Sequence, residues 1–549
     1  MISSIVLKFT ENADLNLPTS GITVFVGPNN SGKSLVLKEL EMVYQTHPFP
    51  TGLKILKDYE VVWPSIDELT ETFLSLEKFA EPNMPLDQVA LGKITPGGGL
   101  ERLIMNKRGI IEIARDQNDK NWWATQFLRW GVLRLDGRSR FNLTNDQSTG
   151  DLLAAPQNVL AHLFQDETAR AKVRSWVFDA FQKHFVVDPT GGGTLRIRLS
   201  DSAPLADEQS LNLQARDYHR EATYIKDASD GVQAFTGIAT AVLSGEYHTI
   251  LIDEPEAFLH PPLAKKLGKQ LATSATERNG ALMASTHSAD FLMGCVQASK
   301  AVRVVRLEYF EGKSRGRMVD PTQLEKLFKR PLLRSANVIS GLFYDGVVVT
   351  ESDNDRAFYA EIFYRLTRNL AEAPSVLFIN AQNKQTIRDV VGPLRQFGVP
   401  AVAIPDIDII KDGGGVWTGW LNVAHIPNAR HGGLATDRAS IKALFEGAGH
   451  DMKLGGVGLL EGPDKDAADA LFDALKEYGI FVVRTGELER WLPAVGAQGK
   501  KTDWVVDMLE RLGSDPADAG YVHPAQGDVW DFMRSIIEWM KNPARRGMP

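Results

Sequence analysis

The sequence predicts an α/β protein made of two successive α/β units, each carrying polar groups at the ends of its strands. A strand, a glycine-rich loop and a helix follow one another over residues 22–42. A second apolar strand ends in the acids Asp253 and Glu254, and a new alternation of strands and helices begins at Gly346. A chain of 549 residues is also too long for one ordinary core, so we expect at least two domains.

The composition is that of a globular protein, with 43% hydrophobic and 24% charged residues. The start of the sequence lacks the layout of a signal peptide, and no apolar run approaches the ~20 residues of a membrane span. A single cysteine, Cys295, excludes an internal disulfide framework and a multi-cysteine zinc site. The net charge of −8 argues against a basic coat, although a local basic groove remains compatible with it. We therefore expect a cytoplasmic protein with no membrane partner.

The first motif is a phosphate-binding loop, Gly-Pro-Asn-Asn-Ser-Gly-Lys-Ser at residues 27–34. Phosphates need several backbone N–H groups aimed at one point. Glycines let the backbone curl closely, and the following helix adds the positive end of its dipole. In this motif the lysine reaches the β- and γ-phosphates of ATP and the last serine holds Mg²⁺. The nucleotide-binding residues expected here are Gly27, Asn29, Asn30, Gly32, Lys33 and Ser34.

Two later strand ends carry the groups that ATP hydrolysis needs. The apolar strand 249–252 ends in Asp253, which would hold Mg²⁺ through water, and Glu254, which would act as general base on the attacking water. The strand 281–285 leads to His287, in the position of a switch residue that contacts the γ-phosphate. Taken singly, each pattern would be better explained by solvated acids after a buried strand and by a structural histidine.

A weaker motif lies between these two, where Ser229, Gly231 and Gln233 open a predicted helix. They resemble the signature loop of ABC-type ATPases, and the order of all four motifs is similar to that of an ABC-type ATPase head. In that family the signature loop of one subunit completes the nucleotide site of the other. The resemblance therefore implies that these three residues bind ATP across an interface, in a homodimer or a higher even oligomer.

Residues from about 45 to 220 form an insertion between the phosphate loop and the signature, where SMC-type relatives carry a long coiled coil. Prolines, glycine triplets and paired tryptophans break any sustained heptad, so we expect a compact arm instead. Within the arm, the segment 132–141 is interpreted as two short strands whose arginines either face solvent or touch phosphate. The predicted ATPase domain covers 1–335 and ends in a basic connector at 326–334.

The second unit places acidic residues at the ends of three predicted strands. In an extended chain the first and third of three residues share a direction, so an Asp-x-Asp pair can face one ion. Carboxylate oxygens are the ligands that Mg²⁺ and Mn²⁺ prefer, and two such ions can cleave a phosphodiester. Taken singly, a helix cap or a solvated group would explain each acid equally well. The acids are Glu351 and Asp355 after the strand 346–350, Asp406 and Asp408 after the strand 399–405, and Glu487 and Glu489 after the strand 479–484.

A glutamate after one strand and an Asp-x-Asp after another resemble the Toprim domain of topoisomerases, primases and certain nucleases. The resemblance covers roughly residues 337–492 of a predicted Toprim domain at 336–495, with Ser352 in place of the usual glycine. An ABC-type head with a non-coiled insertion, followed by a Toprim domain, is similar to the OLD (overcoming lysogenization defect) family of ATP-dependent nucleases, which includes Gabija-type and retron-associated anti-phage effectors. The last segment, 496–549, is expected to be helical.

The OLD resemblance implies roles for individual residues. Catalysis would depend on Glu351, Asp406 and Asp408, and a late lysine, Lys500 or Lys501, would stabilise the charge of the transition state. Two sites for Mg²⁺ or Mn²⁺ are implied. Their ligands would be Glu351, Asp355, Asp406 and Asp408, with Glu487 and Glu489 as candidates for the second ion.

As a whole, the resemblance implies an ATP-regulated, metal-dependent endonuclease that cuts DNA in anti-phage defence. A helicase, or a reverse transcriptase with its RNA/DNA product, is the expected kind of defence partner. Two alternatives remain open: an SMC-like, ATP-driven nucleic-acid clamp or scaffold whose Toprim domain does not cleave, and a Toprim ribonuclease. Ser352 favours the clamp, whereas the intact Asp406 and Asp408 favour cleavage.

Overall fold

The computed structural model describes most of the chain in two compact units, Met1–Val26 with Asn30–Pro321 and Gly27–Asn29 with Thr322–Pro549. The predicted connector at 326–334 and the boundary at 335 lie outside the described residues. Among the described residues, no helix combines the length and apolar character that crossing a membrane requires. The described residues are 2–63, 65, 67–68, 84–95, 99–109, 112, 119–137, 139–245, 247–319, 322, 324–325, 337–447, 449 and 451–549.

The first unit combines a large parallel sheet with smaller antiparallel ones. Its described strands are β1 (Ile2–Leu7), β2 (Leu15–Pro18), β3 (Gly21–Val26), β4 (Leu56–Val61), β5 (Gln88–Thr95), β6 (Gly99–Asn106), β7 (Val132–Leu135), β8 (Gln147–Ser148), β9 (His184–Asp188), β10 (Thr194–Ser200), β11 (Thr223–Tyr224), β12 (Thr249–Asp253), β13 (Ala281–Ser285), β14 (Arg303–Phe310) and β15 (Lys313–Val319). Its described helices are α1 (Lys33–Gln45), α2 (Lys120–Gln126), α3 (Val159–Gln165), α4 (Glu167–Phe181), α5 (Leu213–Glu221), α6 (Asp230–Leu243), α7 (Pro261–Glu277) and α8 (Ala289–Ala298).

The central sheet has six strands in the order β15-β14-β3-β13-β12-β7. All neighbours are parallel except β15, which pairs antiparallel with β14. β3, β12 and β13 are buried almost throughout, as expected of parallel strands covered by helices. Because the carboxyl ends of parallel strands meet at one edge, the residues after β3, β12 and β13 come together there. The predicted α/β class is confirmed.

The segment 132–141 differs from its sequence interpretation. It forms a single strand, β7, at the edge of the central sheet, and a 3₁₀ turn at Arg140–Thr144 follows. The side chain of Arg134 is only 12% exposed, and Arg140 is fully buried. The prediction of exposed arginines on a hairpin was therefore wrong here, because both side chains turn towards acids and carbonyls of the sheet edge. Arg138 lies outside the described residues.

The arm between the phosphate loop and the signature contains short elements and its own cores. One sheet has the order β11-β10-β8 with β9 paired to β10, and it shares a hydrophobic cluster with α3 and α4. The hairpin β5–β6 contributes to a second cluster with Trp123 and Trp130. The longest described helix of the arm, α4, has 15 residues. The described arm thus consists of small packed layers rather than a coiled coil.

Two glycines allow α7 and α8 to pack closely beside the central sheet. A Cβ on Gly268 would come within 2.3 Å of the Phe291 carbonyl oxygen, and one on Gly294 within 2.0 Å of the Lys265 carbonyl oxygen. Cys295 lies in this contact, fully buried, with its thiol 3.5 Å from the Gly268 carbonyl oxygen. The thiol therefore fills a packed helix interface, as expected for a cysteine without a chemical role.

The second unit is built on a small parallel sheet. Its described strands are β16 (Gly346–Thr350), β17 (Val376–Asn380) and β18 (Ala401–Ile404), in the order β17-β16-β18. Its described helices are α9 (Asp353–Thr367), α10 (Lys384–Gln396), α11 (Gly414–Val423), α12 (Asn428–Gly447), α13 (Met452–Gly455), α14 (Gly462–Lys476), α15 (Thr502–Leu512) and α16 (Asp528–Lys541).

The third predicted strand of this unit is an extended segment beside β18 rather than a full strand. Parallel bridges join Ala403 to Ile480 and Asp406 to Val483. The last two helices, α15 and α16, insert Trp504 and Trp530 into the same core as β16 and β18. The final segment is therefore helical, as predicted, and it shares the hydrophobic core of the second unit.

Candidate nucleotide site and carboxylate cluster

The phosphate loop joins β3 to α1 through residues with left-handed backbone. Gly27, Asn30 and Gly32 have φ angles of 138°, 61° and 95°. Gly32 is the residue before α1, and a Cβ there would approach Ile55 Cδ1 to 2.5 Å. The left-handed φ angle favours glycine at this position, whereas the Ile55 side chain could move away from an added Cβ. The loop therefore has the geometry that points backbone N–H groups and the N-terminus of α1 towards a phosphate.

The two predicted Mg²⁺ ligands of the nucleotide site lie next to each other. The Ser34 hydroxyl at the start of α1 donates to Asp253 Oδ1 at the end of β12, at 2.8 Å. Ser285, at the end of β13, donates to the same carboxylate oxygen. Mg²⁺ prefers oxygen ligands, so the hydroxyl of Ser34 and the carboxylate of Asp253 fit the Mg²⁺ ion that accompanies ATP. Ser34 and Asp253 are 219 residues apart in sequence, but the strands that lead to them, β3 and β12, lie close together in the central sheet, on either side of β13.

Lys33 is a buried cation at this edge, with only 4% of its surface exposed. Burial lowers the pKa of its ammonium to about 8, against the opposing pull of Glu254, Asp253 and Glu256. Its Nζ lies 3.4 Å from the Ser31 hydroxyl. A poorly solvated ammonium surrounded by acids is well placed to pair with the β- and γ-phosphates of a nucleotide.

Glu254 and His287 meet at the ends of neighbouring strands. His287 Nε2 lies 3.7 Å from Glu254 Oε1, and the Glu254 side chain is 49% exposed. The backbone N–H of His287 donates to Glu256 Oε1 at 2.7 Å. Burial lowers the pKa of His287 and raises that of Glu256. The sequence reasoning missed Glu256, although the repeated acid in Asp-Glu-Pro-Glu is the signal that would have drawn attention to it.

The signature-like residues lie at the N-terminus of α6. Ser229 precedes the helix, and the Gln233 amide donates to the Ala228 carbonyl at 2.9 Å. A Cβ on Gly231 would come within 2.7 Å of the Phe258 carbonyl oxygen, in the loop that follows β12. The start of α6 is thus packed tightly against the segment that carries Glu254.

In the second unit, carboxylates gather at the ends of β16 and β18. The backbone N–H of Asp406 donates to Glu351 Oε1 at 3.2 Å. Burial, reinforced by the Asp406 charge, raises the pKa of Glu351 to about 7, and burial also raises the pKa of Asp406. Asp408 Oδ1 is buried and has no hydrogen-bond partner among the residues that the structure describes. We call Glu351, Asp355, Asp406 and Asp408 the carboxylate cluster.

Asp355 has a structural role besides its place in the cluster. It forms a reciprocal capping box with Ser352 at the start of α9, in which Asp355 Oδ2 accepts from the Ser352 N–H at 2.9 Å and from its hydroxyl at 2.7 Å. Burial raises the pKa of Asp355 to about 6. Ser352, the departure from the usual Toprim glycine, thus serves as the cap that fixes Asp355 beside the strand end.

A lysine that sequence reasoning missed supplies the positive charge at the cluster. Lys453 Nζ, on the short helix α13, lies 2.9 Å from Asp406 Oδ2 and 3.5 Å from Asp408 Oδ2. These acids raise the pKa of its ammonium despite partial burial. Lys384 lies 3.7 Å from Asp408 Oδ2 and 3.0 Å from Asp412. No motif marks Lys453, because 45 residues of chain separate it from Asp408.

Comparison with known proteins gives two related results. A family model described as "AAA domain, putative AbiEii toxin, Type IV TA system" matches residues 141–294. The "OLD nuclease" of Thermus scotoductus is 22% identical over 445 residues, covering 72% of this chain and 80% of that protein. The chain is therefore similar to an OLD nuclease over most of its length, and it carries a P-loop ATPase domain. The predicted resemblance to OLD nucleases is confirmed as a distant one, and ATP binding through the P-loop domain is confirmed with it.

Solved structures with similarity to this chain include an SMC head and an ABC transporter ATPase. The SMC head bound to the C-terminal winged-helix domain of ScpA covers 60% of this chain and 99% of its own, at 16% identity and a TM-score of 0.35. CbiO1 of Clostridium perfringens, part of the ABC transporter complex CbiONQ, covers 61% and 95%, at 14% identity and a TM-score of 0.26. TM-scores of this size do not define the fold, which rests on the P-loop geometry, the strand order and the AAA match.

The remaining predicted metal ligands, Glu487 and Glu489, lie beside the carboxylate cluster. Burial raises the pKa of Glu487, and the Glu489 charge adds to this effect. Glu489 Oε1 accepts from the backbone N–H of Lys501 at 2.8 Å, while its charge also raises the pKa of Asp355 and Asp406. Lys501 is thus tied to the edge of the cluster through its backbone, with φ at 51°.

The cluster suits a divalent cation in its chemistry, although it is not preformed as a ligand cage. Within the described part of the chain, no three His, Cys, Asp or Glu side chains are arranged to hold a metal ion. Its donors are nevertheless all carboxylate oxygens, which Mg²⁺ and Mn²⁺ prefer. The unpartnered Asp408 Oδ1 and the ammonium between Asp406 and Asp408 both mark a place where positive charge is favoured.

Proposed function

We propose that this protein is an ATP-regulated, divalent-metal-dependent endonuclease of DNA, with a Toprim-type nuclease domain at 336–495. The observation that carries the proposal is the convergence of Glu351, Asp406 and Asp408 at one edge of a parallel sheet, in a chain that also holds a P-loop ATPase domain. The distant relationship to an OLD nuclease supports the same function.

In this proposal the carboxylate cluster holds Mg²⁺ or Mn²⁺. The bound ion would activate water and neutralise charge on the scissile phosphate. Glu351, Asp406 and Asp408 supply the principal ligands, and Asp355 is kept in place by its capping box with Ser352. Glu487 and Glu489 are the candidates for a second ion. Lys453, 2.9 Å from Asp406 Oδ2, would supply a positive charge at the cluster that can pair with a phosphate oxygen.

The nucleotide site is proposed to hydrolyse ATP. Lys33 and the N-terminus of α1 bind the phosphates, Ser34 and Asp253 hold Mg²⁺, and Glu254 takes a proton from the attacking water. His287, 3.7 Å from Glu254, contacts the γ-phosphate. Ser229, Gly231 and Gln233 act on the nucleotide of a second subunit, which makes the proposed assembly a homodimer or a higher even oligomer. The nucleotide state would then regulate cleavage.

A defence role against phage is part of the proposal, with a helicase or a reverse transcriptase and its RNA/DNA product as the kind of partner. The genes that adjoin the coding sequence test this directly, because either neighbour would identify the system.

A second candidate function is an SMC-like, ATP-driven clamp or scaffold that binds nucleic acid without cutting it. The observation that favours it is Lys453, whose ammonium already neutralises Asp406 and Asp408. Because Lys453 already balances these charges, the cluster needs no metal ion in this function. The clamp would need only to bind nucleic acid in response to ATP. A ribonuclease is the third candidate, and only the choice of substrate separates it from the first.

One experiment separates the three. Purified protein is incubated with plasmid DNA, linear DNA and RNA, with Mg²⁺ or Mn²⁺ and with or without ATP, beside the Asp406→Ala variant. Metal-dependent cutting of DNA that disappears in Asp406→Ala supports the endonuclease, and the same result on RNA alone supports the ribonuclease. Retention of nucleic acid without cleavage of any substrate would reject the nuclease in favour of the clamp.

A further inference from the structure

The backbone of Glu254 is held in an unfavourable conformation. Its φ is 48°, in the left-handed region that residues with a Cβ seldom adopt. It directly follows the buried strand β12, and its N–H donates to the Ser285 carbonyl at 2.9 Å. Such a conformation persists only where the surroundings fix it, and it is common at functional sites. The contacts that hold this backbone therefore also set the position of the proposed general base.

Arg140 provides such a contact from behind the strand end. Its Nη2 donates to the carbonyl oxygens of both Asp253 and Glu254. The side chain is fully buried, and Nε and Nη1 have no hydrogen-bond partner among the described residues. Burial lowers the pKa of its guanidinium, against the opposing charges of Glu256, Glu254 and Asp253. A planar guanidinium can reach two successive carbonyls from one side, which a lysine ammonium on its flexible stem does less well.

The turn that carries Arg140 is itself fixed by α6. A Cβ on Gly237 would lie 2.9 Å from Leu143 Cβ and 3.2 Å from the Arg140 carbonyl oxygen, so the turn Arg140–Thr144 sits directly on the helix. The same helix begins beside Ser229 and Gly231. Arg140 thus stands between α6 and the end of β12, which explains why an arginine in this position is buried.

We propose that Arg140 is a positioning residue of the nucleotide site, which holds the carbonyls of Asp253 and Glu254 and thereby the left-handed backbone that directs the Glu254 carboxylate towards the attacking water. Arg140 does not touch the nucleotide in this role. The inference rests on the proposed function of Glu254 as general base and goes beyond it by naming the residue that orients that base.

The test compares Arg140→Lys and Arg140→Gln with Arg170→Lys in the full-length protein. Arg170 is a matched control, because it is also a buried arginine that donates to two carbonyls, those of Leu163 and Phe164, in the arm. A small displacement of a catalytic group costs about 10- to 100-fold in rate, so kcat for ATP should fall by that factor in both Arg140 variants. ATP affinity, measured by calorimetry, should stay within about threefold of wild type. Arg140→Lys should lose less than Arg140→Gln, and Arg170→Lys should keep the wild-type kcat.

A double variant separates positioning from a general loss of structure. With Glu254→Gln the base is gone, so adding Arg140→Lys should lower the residual rate no further. If Arg140→Lys hydrolyses ATP at the wild-type rate, or if its effect multiplies fully with that of Glu254→Gln, the inference is wrong. Equal losses of ATP affinity and kcat in Arg140→Lys would likewise overturn it. Wild-type turnover in Glu254→Gln itself would reject the proposed base instead, so the two failures are distinguishable.

Discussion

At the scale of single residues, burial decides when the carboxylate cluster can accept a cation. The pKa of Glu351 is raised from its usual 4.5 to about 7, first by burial and then by Asp406. Because a metal ion binds the ionised form, Mn²⁺ affinity should be nearly constant above pH 8 and fall by up to about tenfold per pH unit below 7. Calorimetric titration with Mn²⁺ from pH 6 to 8.5 measures this.

The same shift has a consequence for the metal-free protein. A carboxyl whose pKa is higher in the folded state binds the extra proton there, so the free energy of unfolding should decrease as pH rises from about 5 through 7. In Glu351→Gln both this trend and the pH dependence of Mn²⁺ binding should shrink. Affinity for Mn²⁺ that is independent of pH in the wild type would contradict the assignment of Glu351 as a ligand.

Glu254 offers the second test at this scale. Glu254→Gln keeps the size and most hydrogen bonds of the side chain but cannot accept the proton of the attacking water. ATP binding should be retained while turnover falls by ~10²-fold or more. Steady-state ATPase assays measure the turnover, and filter binding measures the affinity for ATP. Turnover at the wild-type rate would show that Glu254 is not the general base.

Glu256 and Arg140 show why residue-level prediction stopped where it did. The sequence placed Lys33, Asp253 and His287 at strand ends because each follows a recognisable pattern. Glu256 and Arg140 act on backbone groups, the N–H of His287 and the carbonyls of Asp253 and Glu254. The repeated acid in Asp-Glu-Pro-Glu marks Glu256 as a candidate, but neither its backbone partner nor that of Arg140 follows from any spacing in the sequence.

At the scale of elements, the short helix α13, which carries Lys453, packs closely against the backbone at Gly486. A Cβ on Gly486, whose φ is 118°, would lie 2.2 Å from the Lys453 carbonyl oxygen. Gly486→Ala should therefore destabilise the second unit by about 1–3 kcal/mol and displace Lys453 from Asp406. Gly458→Ala, in the turn that follows α13, meets nothing within 4 Å and should change stability by less than about 0.5 kcal/mol.

Denaturant unfolding of the two glycine variants, followed through tryptophan fluorescence, measures this difference. Calorimetry on the same samples gives their Mn²⁺ affinity, which should change in Gly486→Ala alone. Equal stability of both variants would show that α13 adjusts freely and that Lys453 is not held by this contact.

The buried strands were predicted correctly from the sequence, whereas the surroundings of the strand at 132–135 were not. The alternating or continuous apolar runs of β3, β12, β13, β16 and β18 are buried strands and were recognised as such. The run at 132–135 has the same pattern, but its place at the edge of the central sheet depends on β12, more than 100 residues later. Long-range pairing, rather than local propensity, decided where its arginines point.

At the scale of the whole molecule, the two chemistries should separate by mutation. Lys33→Ala removes the charge that faces the phosphates and should abolish ATP binding while leaving Mn²⁺ binding at the carboxylate cluster unchanged. Asp406→Ala should have the converse effect. Calorimetry with ATP and with Mn²⁺ on both variants tests this, and loss of both ligands in either one would mean that the sites are not independent.

Regulation is tested on the same proteins. Cleavage of plasmid and linear DNA by wild type, Lys33→Ala and Asp406→Ala is followed across an ATP titration. The proposed function predicts that wild-type cleavage changes with ATP, that cleavage by Lys33→Ala does not, and that Asp406→Ala cuts at no concentration. Wild-type cleavage that is indifferent to ATP would remove the regulatory part of the proposal.

The burial of Cys295 allows conformational changes of the protein to be followed with fluorescent labels. The only thiol of the chain is fully buried between α7 and α8, and burial raises its pKa, so it stays in the unreactive protonated form. A maleimide dye added to the native protein should therefore find no target. Any cysteine introduced at an exposed position becomes a unique labelling point without prior removal of the native one. Pairs of fluorophores can then report distances within one molecule as nucleotide, metal and nucleic acid are added in turn.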